Sequence, residues 1–210
     1  MTEHPQICLQ LPQEAPGVTA LRDVLDAVAI ASARMPAGAT AAQLIAVLQD
    51  AGAAALIEDD ARAALELGAD GVHVARGDLD APDTLARFAA ARDVLGADRI
   101  AGAESGATRH AAMELGEAGA DYVGFALPNE AGDAMDAWRA QVRWWADVFE
   151  VPCVALGCRS EDHVCAAVAA GADFVELVWP ERSSETEAGR HVRQLAQLVV
   201  EMRDGAGGDR

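Results

Sequence analysis

Residues 55–78 read ALIEDDARAALELGADGVHVARGD: an apolar run breaks into three consecutive carboxylates, Glu58, Asp59 and Asp60. A second apolar run, GVHVA, leads to one more acid, Asp78. Acids at the ends of two successive strands can ligate a cation, move a proton or cap a helix. Adjacent strands lie about 4.8 Å apart, so such acids can converge on one ion. Two carboxylates with open positions suit Mg²⁺, which keeps several waters and takes phosphate oxygens from a substrate. Capping of the helix ARAALELG accounts for Asp59 or Asp60, at about 1 kcal/mol. It leaves Asp78 unexplained.

Other chemically capable groups punctuate the chain at similar places: Arg34, Arg76, the pair Glu104 and Ser105, Asn129 and Glu130, the run Gly157, Cys158 and Arg159, and Trp179. Gly157, in VALGCRSEDH, allows an anion to approach a helix N-terminus closely, although a tight turn accounts for it as well. Thr108 stands where a helix start needs an N-cap. His73 alternates with Val72 and Val74 and therefore points to the opposite side of its strand, as a hydrogen-bonded interior histidine. Trp138, Trp144 and Trp145 share one helical segment and point to a packing face or a homo-oligomer contact.

The elements that position these groups follow from a repeat. LGAD occurs at 67–70 and 95–98, and AGAD at 118–121 and 170–173, with spacings of 28, 23 and 52 residues. Each copy closes an Ala-rich helical stretch and opens a β-branched or apolar run. Gly suits the helix C-cap and Asp the turn before a strand, so the repeat marks a βα unit. Completing the pattern gives strands near 7–11, 27–32, 54–58, 71–75, 99–103, 122–126, 152–156 and 173–178. Helices fall between them, near 18–26, 40–50, 60–67, 82–94, 108–118, 135–148, 160–170 and 186–203. Nearly continuous apolar strands indicate a parallel sheet covered by helices. The expected architecture is a (βα)8 TIM barrel of the α/β class, a single domain over 1–203 with a disordered tail at 204–210; an open doubly wound sheet is the runner-up. In such a barrel, chemistry belongs to the loops after the strands, where the groups named above lie.

Composition narrows the partners. A formal charge of −18 repels nucleic acid and anionic membrane surfaces. All 16 basic residues are Arg, which excludes Schiff-base catalysis and any phosphate site built on a Lys ammonium. The four cysteines form no C-x-x-C pair and are expected as reduced, partly buried thiols. With no apolar stretch approaching about 20 residues and no signal-like start, the expected location is the cytoplasm.

Together these segments resemble thiamine phosphate synthases. ALIEDDARAALELGADGVHVARGDL is similar to the family signature hxxNDxxxxAxxxxADGVHxGQxDL. In family order, AGAESGAT resembles IIGVSxHT, AGADYVGFA resembles xGADYVGxG, and VPCVALGC with AAGADFVELV resembles IPVVAIGGI with AGADGVAVV. The resemblance implies a (βα)8 barrel that joins a hydroxymethylpyrimidine diphosphate to a thiazole phosphate and releases pyrophosphate, with Mg²⁺ held by two aspartates. Its metal aspartates match Asp59 and Asp78, which leaves Asp60 as the helix cap; its Ser and Thr match Ser105 and Thr108, and its phosphate-loop glycine matches Gly157. The expected site therefore comprises Asp59 and Asp78 at Mg²⁺ and Ser105 and Glu58 as catalytic groups. Arg34, Arg76, Thr108, Gly157 and Arg159 are expected to hold small phosphorylated substrates.

The chain also departs from the pattern. ASARMP replaces the QxRxK after strand 2, Glu58 replaces the Asn before the first metal Asp, and Ala107 replaces the His of SxHT. PNEAGDAM replaces the TxTK after strand 6, Cys158 the second Gly after strand 7, and VWPE an Ile-Ser pair after strand 8. These changes remove anion donors and leave a second reading open. In it, a paralogue without synthase activity binds another small phosphorylated ligand or acts by interaction. A metal-free isomerase, the related thiazole tautomerase, ranks last because its His after strand 5 is absent.

Overall fold

The computed structural model describes residues 5–14, 16–77, 83–106, 108–128, 132–181 and 183–206. Eight strands alternate with eight helices: β1 (Gln6–Gln10), α1 (Val18–Leu25), β2 (Ser32–Met35), α2 (Ala41–Asp50), β3 (Ala54–Glu58), α3 (Ala61–Leu67), β4 (Gly71–Val74) and α4 (Thr84–Leu95). The second half comprises β5 (Ile100–Glu104), α5 (Arg109–Glu117), β6 (Tyr122–Ala126), α6 (Asp133–Val148), β7 (Cys153–Cys158), α7 (Glu161–Ala169), β8 (Phe174–Val178) and α8 (Glu185–Ala206). The strands are parallel and close in sequence order, β8 pairing with β1. This is the expected (βα)8 TIM barrel.

The sequence builds it through two sets of side chains. Outward positions such as Leu9, Ala33, Ile57, Val72, Val123 and Val175 are fully buried beneath the helices. Inward positions carry the polar groups: Ser32, Arg34, Glu58, His73, Tyr122 and Glu176 share registers across neighbouring strands. Tyr122 occupies the interior because Gly102 leaves room for its ring, and Gly71 lets β4 and β5 approach closely. A Cβ on Gly102 would lie 2.1 Å from the Tyr122 ring, and one on Gly71 would lie 1.9 Å from the backbone oxygen of Ile100. At its N-terminal end the barrel encloses a largely apolar cavity of about 290 Å³, lined by Leu56, Val154 and Phe174 among others.

The Asp of the repeat has a structural use. Asp70, Asp121 and Asp173 each accept, through Oδ2, a backbone N–H from the preceding strand, those of Ala55 (2.8 Å), Ala101 (2.7 Å) and Cys153 (2.9 Å). These N–H groups sit at the N-terminal rim, and the acid staples each turn to its neighbour. Caps begin four helices: Asp60 accepts from Ala63 N–H, Thr108 from Ala111 N–H, Ser160 from His163 N–H and Ser184 from Glu187 N–H. Gly68, at φ 72°, closes α3 in the left-handed conformation that glycine adopts without strain.

Two boundaries differ from expectation. The second strand runs Ser32–Met35 rather than 27–32. The apolar stretch 27–31 instead follows α1 as a turn, with Val28 N–H bonded to Val24 O, and buries Ile30. A strand whose inward positions are Ser32 and Arg34 lacks the apolar run that marks its siblings, so Arg34 lies within β2 and not in the loop after it. The seventh strand extends to Cys158, with a register irregularity between Ala155 and Cys158. Helix α7 starts only at Glu161, so Gly157 is a strand residue rather than part of a helix N-terminus. The sixth-helix tryptophans pack. Trp145 is fully buried and stacks on Phe149 at 4.1 Å, and Trp138 Nε1 donates to Phe125 O at 3.1 Å. The expected tail begins inside the last turn of α8, and residues 207–210 lie outside the described set.

Candidate functional site

At the carboxyl end of β3 two acids take different partners. Glu58 turns inward and pairs with Arg34 Nη1. The same guanidinium forks onto Glu176, with Nε to Oε2 at 2.5 Å and Nη2 to Oε1 at 3.0 Å. Two parallel N–H···O bonds are the strong geometry for an Arg–carboxylate pair. Glu176 is 2 % exposed and also accepts the Gly157 N–H at 3.1 Å. One arginine therefore serves two acids inside the barrel. Burial raises the Glu58 carboxyl above its usual range; Arg34 pulls it down, and Glu176 and Asp59 push it further up. Arg34 is held more firmly protonated than usual, because the two glutamates outweigh its burial.

Asp59 takes the mouth itself. Its backbone is left-handed, at φ 57°, the one non-glycine residue in that region among those described. Asp tolerates this conformation better than most residues, and such strain gathers at functional positions. The turn directs Oδ1 toward the end of β4, where it accepts the Ala75 N–H at 2.9 Å and Arg87 Nη2 at 2.5 Å. Arg87, on α4, also donates to Ala75 O at 2.8 Å. Among the described residues no hydrogen bond reaches Asp59 Oδ2. Asp60 caps α3, as the sequence suggested.

The remaining candidates separate into groups. Ser105 is buried at the end of β5, and its Oγ donates to Gly106 O at 3.2 Å. Thr108 is occupied as the cap of α5. Arg76 is exposed, and its N–H donates to Glu104 Oε2 at 3.3 Å. Arg159 Nη1 donates to Gly157 O at 3.1 Å, and His191 Nε2 contacts Arg159 O at 3.1 Å. With Gln10, Trp179, Pro180 and Glu181, Arg159 and His191 line a cavity of about 440 Å³ over β7, β8 and β1. Asp78, Asn129 and Glu130 lie outside the described residues, as does Ala107. The structure thus joins Arg34 to Glu58 and sets Asp59 beside the end of β4, while Arg76 and Arg159 face separate cavities.

Three participants escaped the sequence reading. Glu176 is a lone acid in FVELV, at an inward position of an otherwise apolar strand, a signal matched by Arg34 in SARM. Arg87 and Tyr122 gave no comparable signal. Tyr122 Oη lies 2.7 Å from His73 Nδ1, and the two rings stack at 5.8 Å. Burial, and then Arg34, lowers the His73 pKa well below its ordinary value, so the imidazole stays neutral. Burial raises the Tyr122 phenol well above its usual range. His73 Nε2 is buried without a partner among the described residues.

Among those residues, no three His, Cys, Asp or Glu side chains gather as a metal centre. The donor chemistry at the mouth, carboxylates with Asp59 Oδ2 open, fits an oxygen-seeking cation.

Fold and mouth together define a closed (βα)8 barrel whose ionisable groups cluster at the carboxyl ends of its strands, where such barrels bind ligands. The thiamine monophosphate synthase family model matches residues 33–179, and the chain belongs to that family. A thiamine-phosphate synthase of Hyphomonas neptunium is 36% identical over 165 residues, covering 76% of this chain and 72% of that protein. One from Erythrobacter litoralis is 38% identical over 132 residues, and the match spans 59% of its length. The structure of the thiamine phosphate pyrophosphorylase of Pyrococcus furiosus superposes with a TM-score of 0.68 at 19% identity, covering 93% of this chain and 96% of that one. That likeness concerns the fold.

Proposed function

We propose that the protein is a cytoplasmic, Mg²⁺-dependent thiamine phosphate synthase acting on small phosphorylated substrates. The observation that carries this reading is Asp59. Its strained turn holds a carboxylate at the mouth, tied to the end of β4, at the position that matches a metal aspartate of the family. In the reaction, the C–O bond between the pyrimidine methylene and its diphosphate breaks and pyrophosphate leaves. The thiazole nitrogen then supplies the electron pair for the new C–N bond. Asp59 and Asp78 would hold Mg²⁺, which would neutralise charge on the diphosphate.

The chain's own residues account for the rest. Ala75 N–H and Arg87 fix the Asp59 carboxylate, and the exposed guanidinium of Arg76 offers positive charge beside Glu104. Ser105, buried at the end of β5, would turn its hydroxyl from the Gly106 carbonyl to the substrate. Arg159 serves the phosphate of the second substrate from the β7 side. Purified protein should form thiamine phosphate from the two substrates with Mg²⁺, and Asp59→Ala should abolish the product. Absence of turnover at high enzyme concentration sinks this reading.

One observation favours the second reading. Two expected anion contacts, Arg34 and the Gly157 N–H, are both taken by Glu176. A paralogue binding a different phosphorylated ligand would tolerate that engagement. It would bind such a compound without forming thiamine phosphate.

A further inference from the structure

A second cavity at the mouth, about 560 Å³, lies over the ends of β4, β5 and β6 and against α6. Two arginines line it, Arg76 after β4 and Arg109 at the first position of α5, with one carboxylate, Glu104. Among the described residues its lining sets two guanidiniums against one carboxylate, in a chain whose formal charge is −18. Both guanidiniums are on exposed residues and need no rearrangement of the core to meet a ligand. Arg109 is oriented by its Cζ sitting 4.6 Å from the Trp144 ring centroid, a cation–π contact that leaves its N–H edge for an anion. Gly106, at φ 67°, takes the left-handed conformation that the β5–α5 turn requires beside Arg76.

The opposite wall is apolar and aromatic, with Phe125, Leu127, Pro128 and Trp138. Its amide Gln141 also lines the cavity, and Gln141 Nε2 is buried with no acceptor among the described residues. A buried donor without a partner costs free energy, so such groups are ordinarily satisfied by protein, by water or by a bound group. Two arginines, an apolar lining and a spare amide donor suit one ligand chemistry: a phosphate or diphosphate carried on a heteroaromatic ring.

We infer that this cavity holds the phosphate-bearing end of the ligand, with Arg76 and Arg109 as anion-binding residues and Gln141 donating to a ring acceptor. The inference rests on the synthase reading for the ligand's identity, the pyrimidine diphosphate. It relocates the diphosphate contacts from strand 2, where Arg34 is bound between Glu58 and Glu176, to the strand 4 and α5 side.

The test is calorimetric titration of the full chain with inorganic pyrophosphate without metal, alongside turnover with Mg²⁺. Wild-type protein should bind pyrophosphate, Arg76→Gln and Arg109→Gln should each weaken it about tenfold, and the double variant should lose it. Arg22→Gln, on α1, removes the same charge elsewhere and should leave binding unchanged. Gln141→Leu should spare pyrophosphate and raise KM for the pyrimidine diphosphate. No binding by wild type, or binding that both arginine variants retain, overturns the inference whatever the turnover. Arginine-dependent binding without turnover supports the anion site and removes the synthase reading instead.

Discussion

Arg34→Met is the most informative single change in this barrel. Methionine keeps the length and apolar stem of the arginine, so the packing and cavity terms are small. What disappears is one positive charge facing two carboxylates. The Arg34 side chain is 11% exposed and its partners Glu58 and Glu176 are 21% and 2% exposed, so solvent screens the triad poorly. Removing one member of a buried ionic group costs about 3–5 kcal/mol, because the partners remain buried and uncompensated. For a chain of this size each kcal/mol moves Tm by about 2–4 °C, which places the expected fall at about 6–20 °C. Urea unfolding followed by far-UV circular dichroism should give the same loss in free energy. The double variant Arg34→Met/Glu176→Met should recover most of it, since apolar replacement of a buried pair is often neutral. A remainder of about 1–3 kcal/mol is expected, because the Gly157 N–H loses its acceptor and Glu58 keeps no counterion. A loss under about 1 kcal/mol in the single variant, or no recovery in the double, would refute the assignment of these charges as a mutually dependent buried group.

Three further outcomes follow from other parts of the molecule. His73 is neutral in the folded protein, with its pKa well below the unfolded value of 6.5; its stabilising contribution is full above pH 6.5 and is lost as pH falls below it. Unfolding free energies measured from pH 7 to 5 should show that slope in wild type and a shallower one in His73→Phe. Cys8, Cys153 and Cys158 are buried, burial pushing the thiols of Cys8 and Cys153 up to about 12 and that of Cys158 higher still, whereas Cys165 is exposed. A chromogenic disulfide reagent should therefore titrate one thiol rapidly in native protein and four after denaturation, and rapid reaction of a second native thiol would contradict the burial. Gly71→Ala should abolish soluble, cooperatively unfolding protein, because its Cβ would meet the backbone oxygen of Ile100 at 1.9 Å, and backbone cannot rotate away. Wild-type Tm in that variant would rule out the close approach of β4 and β5.

Much of this molecule was legible in the sequence because it depends on neighbours along the chain. The LGAD and AGAD copies report a helix end, a cap and a strand start within four residues, so the βα count followed from them, with the closed barrel favoured over an open sheet. Asp60 and Thr108 reach N–H groups three residues ahead, and the ADGVHV alternation set His73 inward. Each of these is a local rule of backbone geometry. Strand β2 was misplaced for a matching reason: its inward residues are polar, and the polarity has meaning only once the other strands surround it.

The site was legible in its members and not in its pairings. Nothing near Arg34 in the chain predicts Glu176, 142 residues away; the two meet because β8 closes on β1 and β1 on β2, which turns inward positions of distant strands into neighbours. Arg87 reaches Asp59 across 28 residues because α4 packs over the end of β4. Closure likewise commits Gly157 N–H to Glu176 and leaves Arg76 and Arg109 facing one cavity. The sequence by itself determined which elements form and which residues sit at their ends. The tertiary structure decided which charges neutralise one another inside the barrel and which remain turned to the mouth, because that depends on distances across the barrel that no local spacing encodes.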